Sequence, residues 1–296
     1  MTEALTATGA APSKGASRGP GETWPGRARA GQWRLSLAGF AALIARDLRV
    51  LVKMPSSFLL RTVLNPLMFV FVFTYLYPRI GAGHFGQVAG QSLATVALPG
   101  LVASAIIFQG LNAVALPLSM EFSATREIED RVMAPVSHRL VALAKVCFSA
   151  LQSLIAAVIV FPLVYLVPAT PVQVHVSSWP ALVLATVLGS LLAGFLGLLL
   201  GTVIEVRKIA TVFTVTVVPL TFLGCVYYPW ASLHTVRWLQ VLVLANPLVY
   251  LSEALRAALT SALPHMSTLA SLSTLAAMTV VLAWAAARTF THRVLT

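Results

Sequence analysis

Residues 121–140, with the sequence EFSATREIEDRVMAPVSHRL, gather charge in the middle of a chain that is otherwise apolar. Four of the nine acidic residues lie in this stretch, interleaved with three arginines. These charged residues are Glu121, Arg126, Glu127, Glu129, Asp130, Arg131 and Arg139. Long apolar runs flank the stretch on both sides, so the pattern predicts a short polar connection between two membrane spans.

Composition assigns the class of protein. Apolar residues make up 58% of the 296 residues, charged residues only 10%, and the mean hydropathy is +0.87. In soluble domains about a quarter of the residues are charged, so this chain is predicted to be an all-α integral membrane protein. Cys147 and Cys225 both lie in or beside apolar runs, and their spacing suits neither a disulfide framework nor a metal site.

The N-terminal part divides into two segments. Residues 1–32 are rich in Gly, Pro, Ser and Ala and carry several basic residues, which predicts a disordered basic leader rather than a cleaved signal peptide. In residues 33–54, apolar side chains recur every three or four positions, whereas Arg46, Arg49 and Lys53 fall on the opposite face. This periodicity predicts an amphipathic helix that lies at the membrane surface.

The remainder, residues 55–296, is predicted to form one transmembrane domain of six spans. The expected spans are residues 58–77, 93–118, 141–167, 181–204, 211–228 and 267–287, each long enough to cross about 30 Å of hydrocarbon. Ala193, Gly197 and Gly201 recur at four-residue steps in the fourth span. Such small residues let another helix approach closely, either from the same chain or from a second copy.

Polar residues inside the spans indicate where the chain does more than cross the membrane. Gln109 and Asn112 lie in the second span, where they either join helices or line a substrate path. With Phe213 and Thr214 of the fifth span, they form the candidate lining. This lining is mostly apolar, which favours a hydrophobic or amphipathic substrate over a bulky polysaccharide.

The segment 228–263 is too broken for a plain span. Pro229 interrupts it early, and Asn246-Pro247 ends an apolar run that is too short to cross the membrane. A re-entrant pair of short helices is therefore expected. Glu253 and Arg256 are spaced i, i+3 within it, as a structural ion pair or as a substrate contact.

The distribution of basic residues sets the orientation. With six spans, fifteen of the twenty basic residues fall on the side that holds both termini, and Arg61 and Lys145 lie at span entries on that side. Only Arg79, Arg237 and Arg256 fall on the other side. This bias predicts that both termini and residues 121–140 are cytoplasmic, and it explains the net charge of +11 without nucleic acid.

Catalytic motifs are missing from the sequence. There is no Gly-Lys pair, hence no phosphate-binding P-loop, and no H-E-x-x-H zinc motif. The six histidines are scattered, and no span centre holds a carboxylate. We therefore predict no catalytic residue, no metal site and no cofactor bound by this chain, and the missing intramembrane acids disfavour ion-coupled transport.

Two motifs carry a family resemblance. Glu127-Ile128-Glu129-Asp130 followed by Pro135-Val136-Ser137 resembles the acidic helix and Pro-Ile-Ser turn of the ABC-2 class of ABC transporter permeases. Gly224 to Pro229, followed by Asn246-Pro247, Tyr250 and Arg256, resembles a second signature of that class. The resemblance covers the chain from about Trp33 to the C-terminus. The first motif lacks the Gly that the family usually has, so its helix ends are expected to differ.

This resemblance implies a plasma-membrane export subunit that pairs with a second permease copy, identical or homologous. Two separate ATP-binding subunits would bind ATP and Mg²⁺ beneath it. Residues 121–131 would be the coupling helix seated on the ATPase, with Pro135 at its end, and residues 33–53 the connecting helix. Its substrates would be drug-like compounds or lipids, with polysaccharide or glycolipid export as the alternative. A secondary transporter and a membrane-embedded enzyme or scaffold are the other possibilities.

Overall fold

The structure, a computed structural model, describes residues 39–42, 44–49, 51, 53, 62, 64, 67–68, 70–76, 79, 87–88, 91–122, 138–166, 175–260 and 263–295. They are mostly helical, as the apolar composition predicts. The helices are α1 Leu93–Met120, α2 His138–Leu166, α3 Trp179–Val203, α4 Val206–Phe222, α5 Arg237–Leu242, α6 Pro247–Leu259 and α7 Thr268–Leu295. A π-helical turn covers Phe71–Leu76, and 3-10 turns cover Trp230–Thr235 and Val243–Ala245.

One small element departs from the all-helical prediction. β1 Gln87–Val88 pairs with β2 Gln91–Ser92 in an antiparallel hairpin just before α1. Only Ala89 and Gly90 separate the two strands, a length that suits a tight hairpin. The hairpin lies between the first two predicted spans, 58–77 and 93–118.

Four of the described helices are long and apolar enough to cross a membrane. They are Thr95–Met120, Leu140–Leu163, Trp179–Val203 and Thr268–Arg293. They match the second, third, fourth and sixth predicted spans. The last helix continues beyond the predicted end at residue 287, because residues 288–295 contain neither Pro nor Gly to stop it.

The other two predicted spans are described less completely. Most of the first, residues 58–77, lies outside the described residues. In place of the fifth, predicted at 211–228, the structure has α4, whose 17 residues begin earlier and end at Phe222. Helix α4 ends where Gly224 and Cys225 turn the chain, and Cys225 has a positive φ of 51°.

Small residues on α3 form the centre of the bundle. A Cβ on Gly201 would lie 2.8 Å from the carbonyl oxygen of Ala115 in α1, and one on Gly197 would lie 3.1 Å from that of Leu111. Gly194 faces Val146 and Ser149 of α2. The close neighbours of these small residues are therefore helices of the same chain, which decides between the two partners that the spacing allowed.

Contacts fix the directions of the four long helices. Because Gly197 and Gly201 meet residues progressively later in α1, helices α1 and α3 run parallel. Lys145 near the start of α2 bonds Glu121 just after α1, so α2 runs antiparallel to α1. Arg293 near the end of α7 donates to the carbonyl of Thr202 near the end of α3. One end of the bundle thus gathers the last turns of α1, α3 and α7 with the first turns of α2; we call it the charged end.

The short helices α5 and α6 meet at Asn246, where the chain bends by 98°. Helix α6 packs its whole length into the core, with eleven of its residues from Leu248 to Leu259 buried. Its last residues bond the segment before α3, where the backbone NH of Ser177 donates to the carbonyl of Ala258 at 2.9 Å. The end of α6 therefore lies opposite the charged end.

Candidate functional site

The charged end carries a salt bridge that the sequence pattern did not pair. Lys145 donates to Glu121 with its Nζ 2.8 Å from the carboxylate, and the side chains are only 11% and 15% exposed. Glu121 was predicted to belong to the coupling helix. The bridge holds it against α2, so its carboxylate anchors the place where the chain leaves α1.

The residue after Glu121 joins two further helices. The ring of Phe122 packs edge-on against Phe290 of α7, with 6.0 Å between ring centroids, and the guanidinium of Arg293 lies 4.8 Å from the Phe122 centroid. Arg293 also donates to the carbonyl of Thr202 in α3. Phe122, the last described residue after α1, is thus packed against α7 and is linked to α3 through Arg293.

Six other predicted coupling residues lie outside the described residues. They are Arg126, Glu127, Glu129, Asp130, Arg131 and Pro135. The described residues stop at Phe122, just after α1, and resume at His138, where α2 begins. A segment of fifteen residues, 123–137, therefore connects two helices whose ends are fastened together by Glu121 and Lys145.

The predicted connecting helix is partly described. Residues 39–42 and 44–49 are helical, and so are Leu51 and Lys53. The side chains of Arg46, Arg49 and Lys53 are exposed, while Phe40, Ile44 and Leu51 are partly buried. Leu48, an apolar residue of the same stretch, is also exposed, at 38%, so the amphipathic helix stays a prediction.

The polar residues of α1 have different surroundings. The amide of Gln109 donates to Gln152 Oε1 of α2 at 2.9 Å, and its own Oε1 accepts from Thr62 Oγ1 at 3.1 Å. Asn112 is exposed and donates to the carbonyl of Phe108 one turn earlier at 2.9 Å. Gln109 therefore joins helices, whereas Asn112 faces outward from this chain.

The predicted partners of Asn112 on α4 also face outward. Thr214 is exposed and Phe213 is partly buried, and neighbouring Val215 is 67% exposed. The described contacts of α4 with the long helices are mainly with α1. Helix α4 thus presents a partly apolar surface that the described residues leave open.

Glu253 is the centre of a buried polar cluster opposite the charged end. Its Oε1 accepts from Arg256 Nη1 at 2.5 Å and from the backbone NH of Trp230 at 2.9 Å. Its Oε2 accepts from the backbone NH of Met266 at 2.9 Å. Arg256 donates in turn to the carbonyl of Cys225 at 3.1 Å. We call Glu253, Arg256 and these three backbone partners the Glu253 hub.

The hub is buried, and its two charges are paired with each other. The side chains of Glu253 and Arg256 are both 0% exposed. An uncompensated charge at such a position would be very costly, so each residue depends on the other. The geometry is that of a structural ion pair, which was one of the two alternatives for this spacing.

Asn246, Pro247 and Pro229 lie where the chain breaks around the hub. Asn246 caps α6, because its Oδ1 accepts from the NH of Leu248 at 2.9 Å. Its Nδ2 donates to the carbonyl of Leu220 in α4 at 2.7 Å. Pro247 takes the first helical position, and Pro229 precedes the 3-10 turn whose first NH bonds Glu253. Asn246, Pro247 and Pro229 therefore all position chain breaks around the hub.

Several residues of these sites carry no motif. Lys145, Phe122, Arg293 and Met266 become notable only through contacts that join distant parts of the chain. Lys145 offered one signal, since a lysine inside an apolar span implies an acidic partner nearby. The backbone NH of Met266 offers none. Among the residues that the structure describes, no group of His, Cys, Asp and Glu could hold a metal ion.

Comparison with protein families decides the identity. The family model described as ABC-2 type transporter matches residues 38–260. The chain belongs to the ABC-2 type transporter family. This ABC-2 chain is therefore a multi-pass membrane component of a transporter, as the sequence motifs indicated, and such components work with an ATP-binding partner. A search of curated protein sequences found no significant match to the chain.

The family match covers most, but not all, of the sites described above in this ABC-2 chain. It begins before the exposed residues Arg46, Arg49 and Lys53 and stops at Thr260. At the charged end it covers the turns of α1, α2 and α3 but not those of α7. The stretch 121–140 lies inside it, and so does the Glu253 hub except for Met266. Helix α7 and Arg293 lie beyond it.

Proposed function

We propose that this ABC-2 chain is the permease subunit of an ATP-driven exporter. Two copies, or one copy and a close homologue, form the pathway, and two separate ATP-binding subunits supply the energy. The observation that carries this proposal is the family match over residues 38–260 in a chain that has no Gly-Lys pair and hence no P-loop of its own. ATP and Mg²⁺ are therefore bound by the partner.

The ATP-binding subunits dock at the charged end. Residues 121–131 form the coupling helix, and Pro135 turns the chain into α2. We place the connecting helix, whose Arg46, Arg49 and Lys53 are exposed, beside it. Charge-assisted contacts suit this docking, because they fix the register of two surfaces at modest cost in affinity.

The chain crosses the membrane six times, with both termini in the cytoplasm. Basic residues at the charged end support this orientation, since Lys208 and Arg293 lie near the ends of α3 and α7. Opposite the charged end, Arg256 is neutralised by Glu253. The bend of 98° at Asn246, with the end of α6 opposite the charged end, supports a re-entrant segment for α5 and α6.

The substrate is a hydrophobic or amphipathic compound, such as a lipid or a drug-like molecule. Its path runs along the open faces of α1 and α4, between the two permease copies. Gln109 is engaged with Thr62 and Gln152, so Asn112 and Thr214 supply the exposed polar groups of this lining. The rest of the lining is apolar, as Val215 illustrates. Export of a polysaccharide or glycolipid is the alternative substrate class.

Co-purification tests the docking. The chain is purified from its own membranes, and co-purifying proteins that carry a P-loop are identified by mass spectrometry. Reversal of Glu127, Glu129 and Asp130 to Lys should remove that ATPase. The matched control is Glu205→Lys, because Glu205 is an exposed acid on the turn between α3 and α4, outside the coupling helix. If the triple variant retains the ATPase as well as the control does, the docking assignment is wrong.

Transport assays test the substrate class. Proteoliposomes that contain the complex are given ATP, and movement of a fluorescent phospholipid, a hydrophobic dye and a labelled oligosaccharide is followed. ATP-dependent movement of the phospholipid or dye is expected. Movement of the oligosaccharide alone would favour the alternative class.

A further inference from the structure

We infer that Arg293 is a positioning residue that fastens α7 to the end of the coupling helix, so that α7 transmits the movement of residues 121–131 to the Glu253 hub. This inference rests on the proposed function, because it assumes an ATPase that moves the coupling helix. It concerns residues outside the family match, which ends at residue 260.

The first step is at the charged end, where Phe122 is the second residue of the proposed coupling helix. The guanidinium of Arg293 lies over the Phe122 ring at 4.8 Å, and Phe290 packs against the same ring at 6.0 Å. Phe290 is only 1% exposed and belongs to a buried cluster shared by α1, α2, α3 and α7. A displacement of Phe122 therefore acts directly on the last turns of α7.

Arg293 also holds α7 to α3. Its Nη1 donates to the carbonyl of Thr202, one of the last carbonyls of α3, which lack a partner within their own helix. A cation at this place also complements the negative end of the α3 dipole. A second bond, 3.3 Å between the hydroxyls of Thr202 and Thr289, joins the same turns. Arg293 is thus the point where Phe122, α3 and α7 meet.

The second step is the helix itself. α7 runs for 28 residues from Thr268 to Leu295, and it contains neither Pro nor Gly. An α-helix of that length is about 42 Å long, enough to extend from one end of the bundle to the other. Uninterrupted helices bend only gently, so a shift at one end is carried to the other. In the most apolar part of α7, only 22% of the residues are buried against the rest of the described chain, the smallest share among the four long helices.

The third step is at the far end of α7. The backbone NH of Met266, two residues before α7 begins, donates to Glu253 Oε2 at 2.9 Å. The other oxygen of Glu253 binds Arg256 and the NH of Trp230. Movement of α7 along or about its axis therefore pulls on a buried carboxylate that holds three chain segments together. These segments flank the bend at Asn246, on the side from which an exported substrate leaves.

The native thiol of Cys225 provides a probe of the hub. Cys225 is 0% exposed, and its carbonyl accepts from Arg256. The chain has only one other cysteine, Cys147 in α2, so Cys147→Ala leaves Cys225 as the single thiol. The complex with its co-purified ATPase is placed in lipid nanodiscs. Labelling of Cys225 by a small maleimide is then timed without nucleotide and with ATP plus orthovanadate.

Four variants are compared in this background. Arg293→Ala removes the contact with Phe122 and Thr202, and Arg293→Lys keeps the charge but loses the planar guanidinium. Phe122→Leu keeps an apolar side chain but removes the ring that Arg293 contacts. It replaces Arg293→Ala as the test if Arg293→Ala does not fold. The matched control is Arg288→Ala, because Arg288 is an exposed arginine of the same helix whose guanidinium lies 5.2 Å from the centroid of its neighbour Trp284.

We expect nucleotide to change the labelling rate of Cys225 in the parent and in Arg288→Ala by about fivefold or more, as is usual for coupled sites. Arg293→Ala should lose most of this change while still binding the ATPase, Phe122→Leu should lose most of it as well, and Arg293→Lys should keep part of it. An unchanged nucleotide response in both Arg293→Ala and Phe122→Leu would overturn the inference. So would a parent without any response.

The same samples separate this inference from the proposed function. ATPase content and ATP turnover are measured on each nanodisc preparation before labelling. If no ATPase co-purifies with the parent, the proposed function fails. If the ATPase is present and turns over ATP but the labelling of Cys225 does not depend on Arg293, only the route through α7 fails.

Discussion

At the scale of single residues, Glu253 and Arg256 form a fully buried ion pair. A buried carboxylate and a buried guanidinium each cost a large desolvation free energy, and here each offsets the cost of the other. The carboxylate also satisfies two backbone NH groups, those of Trp230 and Met266. Removing either side chain therefore leaves the other buried without its partner charge.

Glu253→Ala should destabilise the chain by about 3–5 kcal/mol, the usual result of breaking a buried ion pair on one side. Arg256→Met should be similarly destabilising. The double variant Glu253→Leu/Arg256→Met should be less destabilised than either single change, because it leaves no unpaired charge. Thermal unfolding of the detergent-solubilised protein, followed by tryptophan fluorescence, measures all three. A single variant as stable as the parent would contradict the structural role of the pair.

The salt bridge between Lys145 and Glu121 at the charged end is a second ion pair that can be tested by mutation. Lys145→Ala should lower the melting temperature by about 2–4 °C, the shift expected for roughly 1 kcal/mol in a chain of this size class. The charge swap Glu121→Lys/Lys145→Glu should recover part of that loss, since it restores an attractive pair. If Lys145→Ala and the swap are equally impaired, the bridge contributes little on its own.

At the scale of elements, close packing of α3 against α1 organises the bundle. Gly197 and Gly201 bring the α3 backbone against carbonyls of α1, and Gly194 brings it against α2. The four-residue spacing of small residues predicted this face, but it could not say which helix fills it. That answer requires the fold, because a second copy would satisfy the same spacing.

Gly201→Leu should therefore prevent correct packing, because even a Cβ at this position lies 2.8 Å from the carbonyl oxygen of Ala115. Val183→Leu is the matched control, since Val183 lies on the same helix and is 58% exposed. Size-exclusion chromatography in detergent should show a monodisperse peak for the control and aggregated material for Gly201→Leu. A well-packed Gly201→Leu protein would mean that α3 does not approach α1 this closely.

The breaks between elements were also partly readable from sequence. Pro and Asn-Pro dipeptides correctly predicted that the chain is interrupted at Pro229 and at Asn246. They did not predict that α4 ends at Phe222, six residues before the expected end of the span. The turn that follows needs the left-handed conformation of Cys225, which is unusual for a residue with a side chain.

At the scale of the whole molecule, apolar runs predicted the membrane class and the four long spans because their length and composition are local properties. The convergence of Phe122, Arg293 and Thr202 was not predictable in this way, since these residues lie on three different helices. Nor does local pattern join Met266 to Glu253. The sites of this permease are formed mostly by contacts between distant segments.

These contacts suggest how the two ends of the molecule work together. In the proposed function, the coupling helix starts at Glu121, which bonds Lys145 of α2. Its next residue, Phe122, packs against Phe290 and Arg293 of α7, and Arg293 in turn bonds α3. The Glu253 hub on the opposite side holds the segments before and after the bend at Asn246. In the proposed function, these contacts link closure of the ATPase pair at the charged end to rearrangement of the Glu253 hub.

The most direct test of the account is a native mass measurement of the complex purified through a tag on this 31.5 kDa chain. We expect two permease chains and two P-loop subunits. The variant with Glu127, Glu129 and Asp130 reversed to Lys should retain the permease pair and lose the P-loop subunits, and Glu205→Lys should keep all four. A triple variant that retains both P-loop subunits, or a parent complex without any, would contradict the central claim.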